Sequence, residues 1–171
     1  MENHKDHVIK CKCNQSKETD VPLLPMRCLI IGPSASGKTY LLDNLITNIY
    51  KNCFERVYIF SQSIYLDRTY DPIKETQKEI KNEDLYFEKF DEAALQNIIN
   101  NHSRIIAKLK DEKTKEMYNI CIVIDDFIDD RRISNNSKAL NSLFIRGRHS
   151  FISTICLIQK YIYISVSYDT S

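Results

Sequence analysis

Gly32-Pro33-Ser34-Ala35-Ser36-Gly37-Lys38-Thr39 decides how the rest of this chain is read. The stretch fits G-x-x-x-x-G-K-[ST] at every fixed position. Such a loop wraps a phosphate with backbone N–H groups, and a Cβ at its tight points would block that approach. The chain has only three glycines, Gly32, Gly37 and Gly147. Average usage of about 7% would give roughly a dozen, so a chance match is on the order of 1% or lower. The flanks agree with the motif. Residues 26–31 form a short apolar run suited to a buried strand. From Lys38 to Tyr50 the apolar positions Leu42, Leu45, Ile46 and Ile49 recur at helical spacing. A helix starting there aims its positive N-terminus at the same phosphates. Residues 32–39, with the adjoining Tyr40, are therefore expected to bind a nucleotide. Lys38 would reach the β and γ oxygens, and the Thr39 hydroxyl would be a ligand for Mg2+.

Composition bounds the rest. The 171 residues suit one domain with a real core. Charge is nearly balanced, with 24 Lys plus Arg against 23 Asp plus Glu, so no global field draws the chain to nucleic acid. Any DNA contact has to come from a local patch or from many subunits together. Cys28, Cys121 and Cys156 lie in apolar runs and read as small buried hydrophobes rather than as disulfide partners. The N-terminus lacks the apolar stretch of a secretory signal, and no run approaches the roughly 18 residues of a spanning helix. The expectation is a soluble protein of a reducing compartment.

Along the chain, residues 1–25 are polar, end in Pro22 and Pro25, and read as an arm outside the core. The remaining 26–171 read as one domain. Residues 56–60 suit a second strand, whereas 61–84 show no clear period. A long helix is expected after Asp91, a plausible N-cap, with the stripe Leu95, Ile98, Ile99, His102, Ile105, Ile106, Leu109. Residues 120–124 form a wholly apolar strand, 138–145 a short helix, and 152–158 another buried strand closed by Gln159. Continuous apolar strands alternating with helices predict an α/β domain of three layers, with a mostly parallel central sheet.

Asp125-Asp126 ends the strand at 120–124 and has the form of a Walker B site. A parallel strand delivers its last residues to the carboxyl edge, where ligands bind. Asp125 would hold Mg2+ through water, and Asp126 would orient or deprotonate the attacking water. Many ATPases of this type carry Glu at the position of Asp126. The alternative for the pair is a solvated acidic turn, the reading preferred for Asp129 and Asp130. GTPases are excluded because D-x-x-G is absent and Asn136-Ser137-Lys138 follows no strand. A transporter ATPase is excluded by the absence of L-S-G-G-Q, and Asp-Asp-Phe-Ile argues against a DEAD-type helicase.

Arg146-Gly147-Arg148-His149-Ser150-Phe151-Ile152-Ser153, running through apolar residues to Gln159, is a more unusual string. Together with the glycine-rich loop and Asp125-Asp126 it resembles the poxvirus-type genome-packaging ATPases of large double-stranded DNA viruses. These belong to the FtsK–HerA superfamily of ring-shaped DNA pumps, and the resemblance covers about residues 26–160. It implies a P-loop ATPase using ATP and Mg2+ to move viral double-stranded DNA, without regard to sequence, into a capsid. It also implies a homo-oligomeric ring, contacts with capsid or packaging proteins, and residence in the host cytoplasm, a viral factory or the virion. In such folds a strand lies between the P-loop strand and the Walker B strand, a place that 152–158 can fill. Gln159 would then face the γ-phosphate, unless it merely caps a strand. Arg146 or Arg148 would be an arginine finger reaching a neighbouring subunit's ATP, unless both belong to a basic surface turn. Gly147 between them suggests a tight turn.

Two rival readings remain. One is a small-molecule or nucleoside kinase. The other is an ATP-binding but non-translocating assembly or regulatory piece, motivated by a tail, 161–171, that does not match the family's expected continuation and suggests a truncated C-terminus. Weaker signals are His4, His7, Cys11 and Cys13, whose spacing fits no common zinc finger, so a disordered arm is preferred. His102 reads as a satisfied core histidine, and Arg131-Arg132 as partners of Asp129 and Asp130.

Overall fold

The computed structural model describes residues 13–127, 133 and 136–159. Among them run five strands: β1 (Arg27–Ile31), β2 (Arg56–Ser61), β3 (Tyr86–Phe87), β4 (Ile120–Asp125) and β5 (Ile152–Ile158). They form one sheet in the order β1-β5-β4-β2-β3, and every neighbouring pair is parallel. β5 thus lies between the strand that precedes the glycine-rich loop and the strand that ends in Asp125, as the superfamily resemblance implied.

Helices cover both faces of this sheet, which is why β2, β4 and β5 are buried along almost their whole length rather than on alternate residues. One face packs Val57, Ile59, Cys121, Val123, Ile155 and Leu157 against Leu42, Ile46, Tyr70 and Ile73. Those side chains come from α1 (Lys38–Asn44) with its continuation Leu45–Ile49, and from α2 (Asp71–Thr76) with the preceding 3-10 turn Arg68–Tyr70. The other face packs Tyr58, Phe60, Ile122, Ile124 and Cys156 against α3 (Glu92–Asp111) and α4 (Lys138–Arg146). The result is a three-layer α/β domain.

Local chemistry sets the helix ends. The Asp91 carboxylate accepts from the Ala94 N–H (2.9 Å) at the start of α3, with Lys108 and Lys110 in the last turn to complement the dipole. Ser137 caps α4 by accepting from the Leu140 N–H (3.0 Å) and donates in turn to the Glu92 carboxylate, which fastens α4 to α3. After α1 the helix widens to a π turn. There the Thr47 hydroxyl donates to the Asp43 carbonyl (2.8 Å), and the Tyr50 N–H reaches back to the Leu45 carbonyl.

Several expectations need correction. The described part of the arm, 13–25, is not outside the core: Cys13 and Leu24 are buried, and Gln15 pairs with both backbone polar groups of Leu24. The Ser16 hydroxyl donates to the Ile49 carbonyl, and the Tyr50 hydroxyl to the Pro22 carbonyl. Polarity concealed this because only a few apolar side chains, Cys13, Val21 and Leu24, pack on the core, and hydrogen bonds fasten the rest. Cys28 is only half-buried, since β1 is an edge of the described sheet. Gly147 makes no tight turn: it has helical dihedrals (φ −51°, ψ −41°) where α4 passes into the 3-10 turn Gly147–Ser150, and the left-handed residue is Phe151 (φ 55°). His102 is buried as expected, but its Nε2 has no hydrogen-bond partner. Of α3's stripe, Ile105 is exposed. The readings of His4, His7, Cys11, Asp129, Asp130, Arg131, Arg132 and the tail 161–171 fall outside the described residues.

Candidate functional site

The carboxyl ends of β1, β4 and β5 meet at one edge of the sheet, and the site is built there. The Gly32 N–H donates to the Ile158 carbonyl (3.1 Å), extending the β1–β5 ladder into the loop. The loop then closes tightly. A Cβ on Gly32 would lie 2.5 Å from the Ser36 Oγ, too near to exist without displacing it. Ala35 (φ 60°) and Gly37 (φ 85°) adopt left-handed backbone, the kind of conformation from which anion-cradling loops are built, and Gly37 leads into α1. The Lys38 ammonium donates to the carbonyls of Gly32 (2.9 Å) and Pro33 (3.0 Å) and so lies along the loop.

Ser34, Ala35, Ser36, Gly37, Lys38, Thr39 and Tyr40 line a cleft of about 450 Å3. Asp125, Asp126 and Gln159 line the same cleft. Asp125 ends β4, and its neighbour in register on β2 is Ser61. The Ser61 hydroxyl donates to Asp125 Oδ2 (2.9 Å), as does the Tyr70 hydroxyl (2.5 Å). Burial raises the Asp125 carboxyl above the usual carboxylate range. The Tyr70 hydrogen bond opposes this, the Asp126 charge adds to it, and Ser61 and Lys38 oppose it further. Asp126 has left-handed backbone (φ 62°), a conformation Asp tolerates, and its N–H donates to the Leu157 carbonyl (3.2 Å). This turn brings its carboxylate next to Gln159, whose Nε2 donates to Asp126 Oδ1 (3.2 Å). Adjacent strands β4 and β5 thus present an acid and an amide as a hydrogen-bonded pair.

The arrangement fits a nucleotide with a divalent cation. It offers a glycine-containing loop whose tight point has no room for a Cβ, an ammonium and a hydroxyl at one helix start, and a buried carboxylate in the same cleft. Gly32 and Pro33 do not line the cleft; they contribute the carbonyls that hold Lys38. Arg146 and Arg148 are not brought to this site. Both are exposed and precede β5, at the amino edge of the sheet, with Arg148 beside Arg27, His149 and Phe151 in a separate cleft. The seven residues of β5, about 20 Å, separate them from the phosphate loop of their own subunit.

Sequence reasoning missed five polar residues here. Ser63, Asp67 and Thr69 line the cleft, and Ser61 and Tyr70 bond Asp125. All lie in or beside the aperiodic stretch 61–84. One signal was present: Asp71-Pro72 places a proline in the first turn of α2, and Asp67 caps the turn before it by accepting from the Thr69 N–H (2.9 Å).

Comparison with known proteins settles the family. Residues 15–171 match the family described as Poxvirus A32 protein. The chain belongs to that family. It is the family of the viral genome-packaging ATPase, so the resemblance read from the loop, the acidic pair and the Arg146–Gln159 string is borne out. No curated protein matches the chain. Among solved structures it is similar to the pCW3 conjugation coupling protein TcpA in its monomer form with ATPγS, at 13% identity and a TM-score of 0.56. That alignment covers 84% of this chain and 45% of TcpA, so the chain spans less than half of TcpA's length. A second likeness is to Thermomonospora curvata EccC (ATPases 2 and 3) in complex with a signal sequence peptide. Its identity is 15% and its TM-score 0.49, covering 79% of this chain and 25% of that one. The TcpA likeness is one of fold, and it agrees with the P-loop ATPase architecture found here. No helix among the described residues is long and apolar enough to cross a membrane.

Proposed function

We propose that this chain is a Mg2+-dependent ATPase that moves double-stranded viral DNA during genome packaging. The observation that carries the proposal is the single cleft that gathers Lys38, Thr39, Asp125, Asp126 and Gln159 at the carboxyl edge of a β1-β5-β4 sheet. In this reading the loop N–H groups and Lys38 hold the β and γ phosphates. Thr39 and Asp125 hold Mg2+, which when bound neutralises charge on those phosphates. Asp126 takes up a proton from the attacking water, and the Gln159 amide fixes the Asp126 carboxylate and faces the γ-phosphate. The hydrogen bond between the two supports this division of labour, because it directs one carboxylate oxygen and leaves the other for water.

The distance of Arg146 and Arg148 from their own cleft supports a second part of the reading. An arginine finger at this position serves a neighbouring subunit, so hydrolysis requires an oligomer, in keeping with a ring acting on DNA. Grip on the duplex is through backbone phosphates and is indifferent to sequence. The partners are therefore copies of this chain, double-stranded DNA and capsid or packaging proteins, and the place of action is where virions assemble. Triplex displacement tests translocation itself. The full chain with ATP should strip a third strand from linear duplex, and Lys38→Ala should not. Hydrolysis without any displacement would contradict a motor and favour an assembly or regulatory ATPase.

A further inference from the structure

Tyr70 is fully buried, and its hydroxyl reaches Asp125 at the carboxyl end of β4. A buried hydroxyl is costly unless paired. Here it donates to Asp125 Oδ2 at 2.5 Å and lies 3.2 Å from the Ser61 Oγ, which itself donates to the same carboxylate oxygen at 2.9 Å. Each hydroxyl has one proton, and both are directed to Oδ2. Among the described residues no protein donor meets Oδ1. One oxygen of Asp125 is therefore tied to the protein, which leaves Oδ1 for the cleft that Asp125 lines with Lys38 and Thr39.

The geometry explains why these three residues meet. Ser61 and Asp125 are register partners at the ends of β2 and β4, on the face that also carries Val57, Ile59, Cys121 and Val123. Tyr70 packs on that same face with Ile64 and Ile73. It ends the 3-10 turn whose cap is Asp67, and the segment leading into it lines the cleft with Ser63, Asp67 and Thr69. Tyr70 thus joins the outer wall of the cleft to the strand that carries the metal-binding carboxylate.

We propose that Tyr70 is a positioning residue for the metal site, acting through Asp125 with Ser61 as its accessory. It holds the Asp125 carboxylate in the rotamer that offers Oδ1 to the cation's water shell, and it couples the 61–70 wall to that rotamer. The proposal rests on the nucleotide-and-Mg2+ reading given above.

The test is Tyr70→Phe in the full chain, which removes one oxygen and keeps the ring that fills the core. The probe is a fluorescent non-hydrolysable ATP analogue, titrated with excess Mg2+ and in EDTA. The wild type should bind it more tightly with Mg2+, and Tyr70→Phe should lose about tenfold of that gain while its affinity in EDTA is unchanged. Ser61→Ala should lose less, because Tyr70 still holds Oδ2. The Mg2+ concentration for half-maximal hydrolysis should rise in the same order. A purely structural tyrosine would lower the melting temperature and move both affinities together. Equal Mg2+ gain in wild type and Tyr70→Phe would overturn the inference and leave the ATPase reading standing. Failure of the wild type to bind the analogue, with or without Mg2+, would overturn that reading and the inference with it.

Discussion

A single missing Cβ shapes the phosphate loop. At Gly32 any side chain meets the Ser36 Oγ at 2.5 Å, whereas at Gly37 nothing stands within 4 Å and only the φ of +85° demands glycine. The first contact is relieved only if the Ser36 side chain moves, which disturbs the loop. Gly32→Ala should therefore weaken ATP-analogue binding, and adding Ser36→Ala should restore part of the loss, as measured by titration. His102 offers a second test at this scale. Burial lowers its pKa from the ordinary value, and backbone carbonyls of Phe151 and Tyr118 only partly oppose this. As pH falls through about 6.5 the unfolded chain protonates first. The unfolded state then holds more protons, so His102 contributes stability at neutral pH that is lost on acidification. His102→Gln should melt with a shallower fall between pH 7.5 and 5.5 than the wild type; parallel curves would contradict the assignment. The glycine-rich loop was legible in the sequence because its chemistry is local. The unpaired Nε2 of His102 was not, since periodicity reports burial and says nothing of hydrogen-bond partners.

Among the elements, long strands and capped helices were legible and short ones were not. β5 runs over Ile152–Ile158 as its apolar pattern indicates, and Asp91 caps α3 through the Ala94 N–H. β3 has two residues, too few for any period, and the 3-10 turn and α2 are nearly as short, each burying one large side chain, Tyr70 and Ile73, with hydrogen bonds from Tyr70 and Gln77 to the sheet. Gln77, just after α2, shows the principle. Its Oε1 accepts from the Val57 N–H (2.6 Å), and its Nε2 donates to the Val57 carbonyl (3.0 Å). One side chain thereby pairs a β2 residue that lies outside the short β2–β3 ladder. Gln77→Leu leaves two buried backbone groups unpaired, at a cost of about 2–4 kcal/mol. For a chain of this size that should lower the melting temperature by about 5–10 °C, read by calorimetry. A change of under a degree would show that water replaces the amide.

For the molecule as a whole, the candidate residues fall at the two ends of the sheet. The carboxyl edge carries the cleft proposed for the nucleotide and the amino edge carries Arg146 and Arg148, with β5 between them. The sequence reading assigned the arginines to a neighbouring subunit's ATP and Gln159 to this one's; what a string such as Arg146–Gln159 does not reveal is that its first and last residues lie at opposite ends of one strand. If one arginine completes a neighbour's site, its change to alanine should leave ATP-analogue binding intact. Hydrolysis should fall by about a thousandfold. Mixing that variant with Lys38→Ala should restore part of the activity, because one subunit supplies the loop and the other the arginine. No recovery in any mixture would place the arginines outside catalysis. The central claim is that Lys38-dependent ATP turnover in this chain serves DNA movement. Its most direct test is steady-state ATP hydrolysis with and without linear double-stranded DNA, with Lys38→Ala as the reference. The account predicts turnover that vanishes in Lys38→Ala and rises when duplex is added. Turnover unchanged by DNA, or nucleotide bound without hydrolysis, would contradict it.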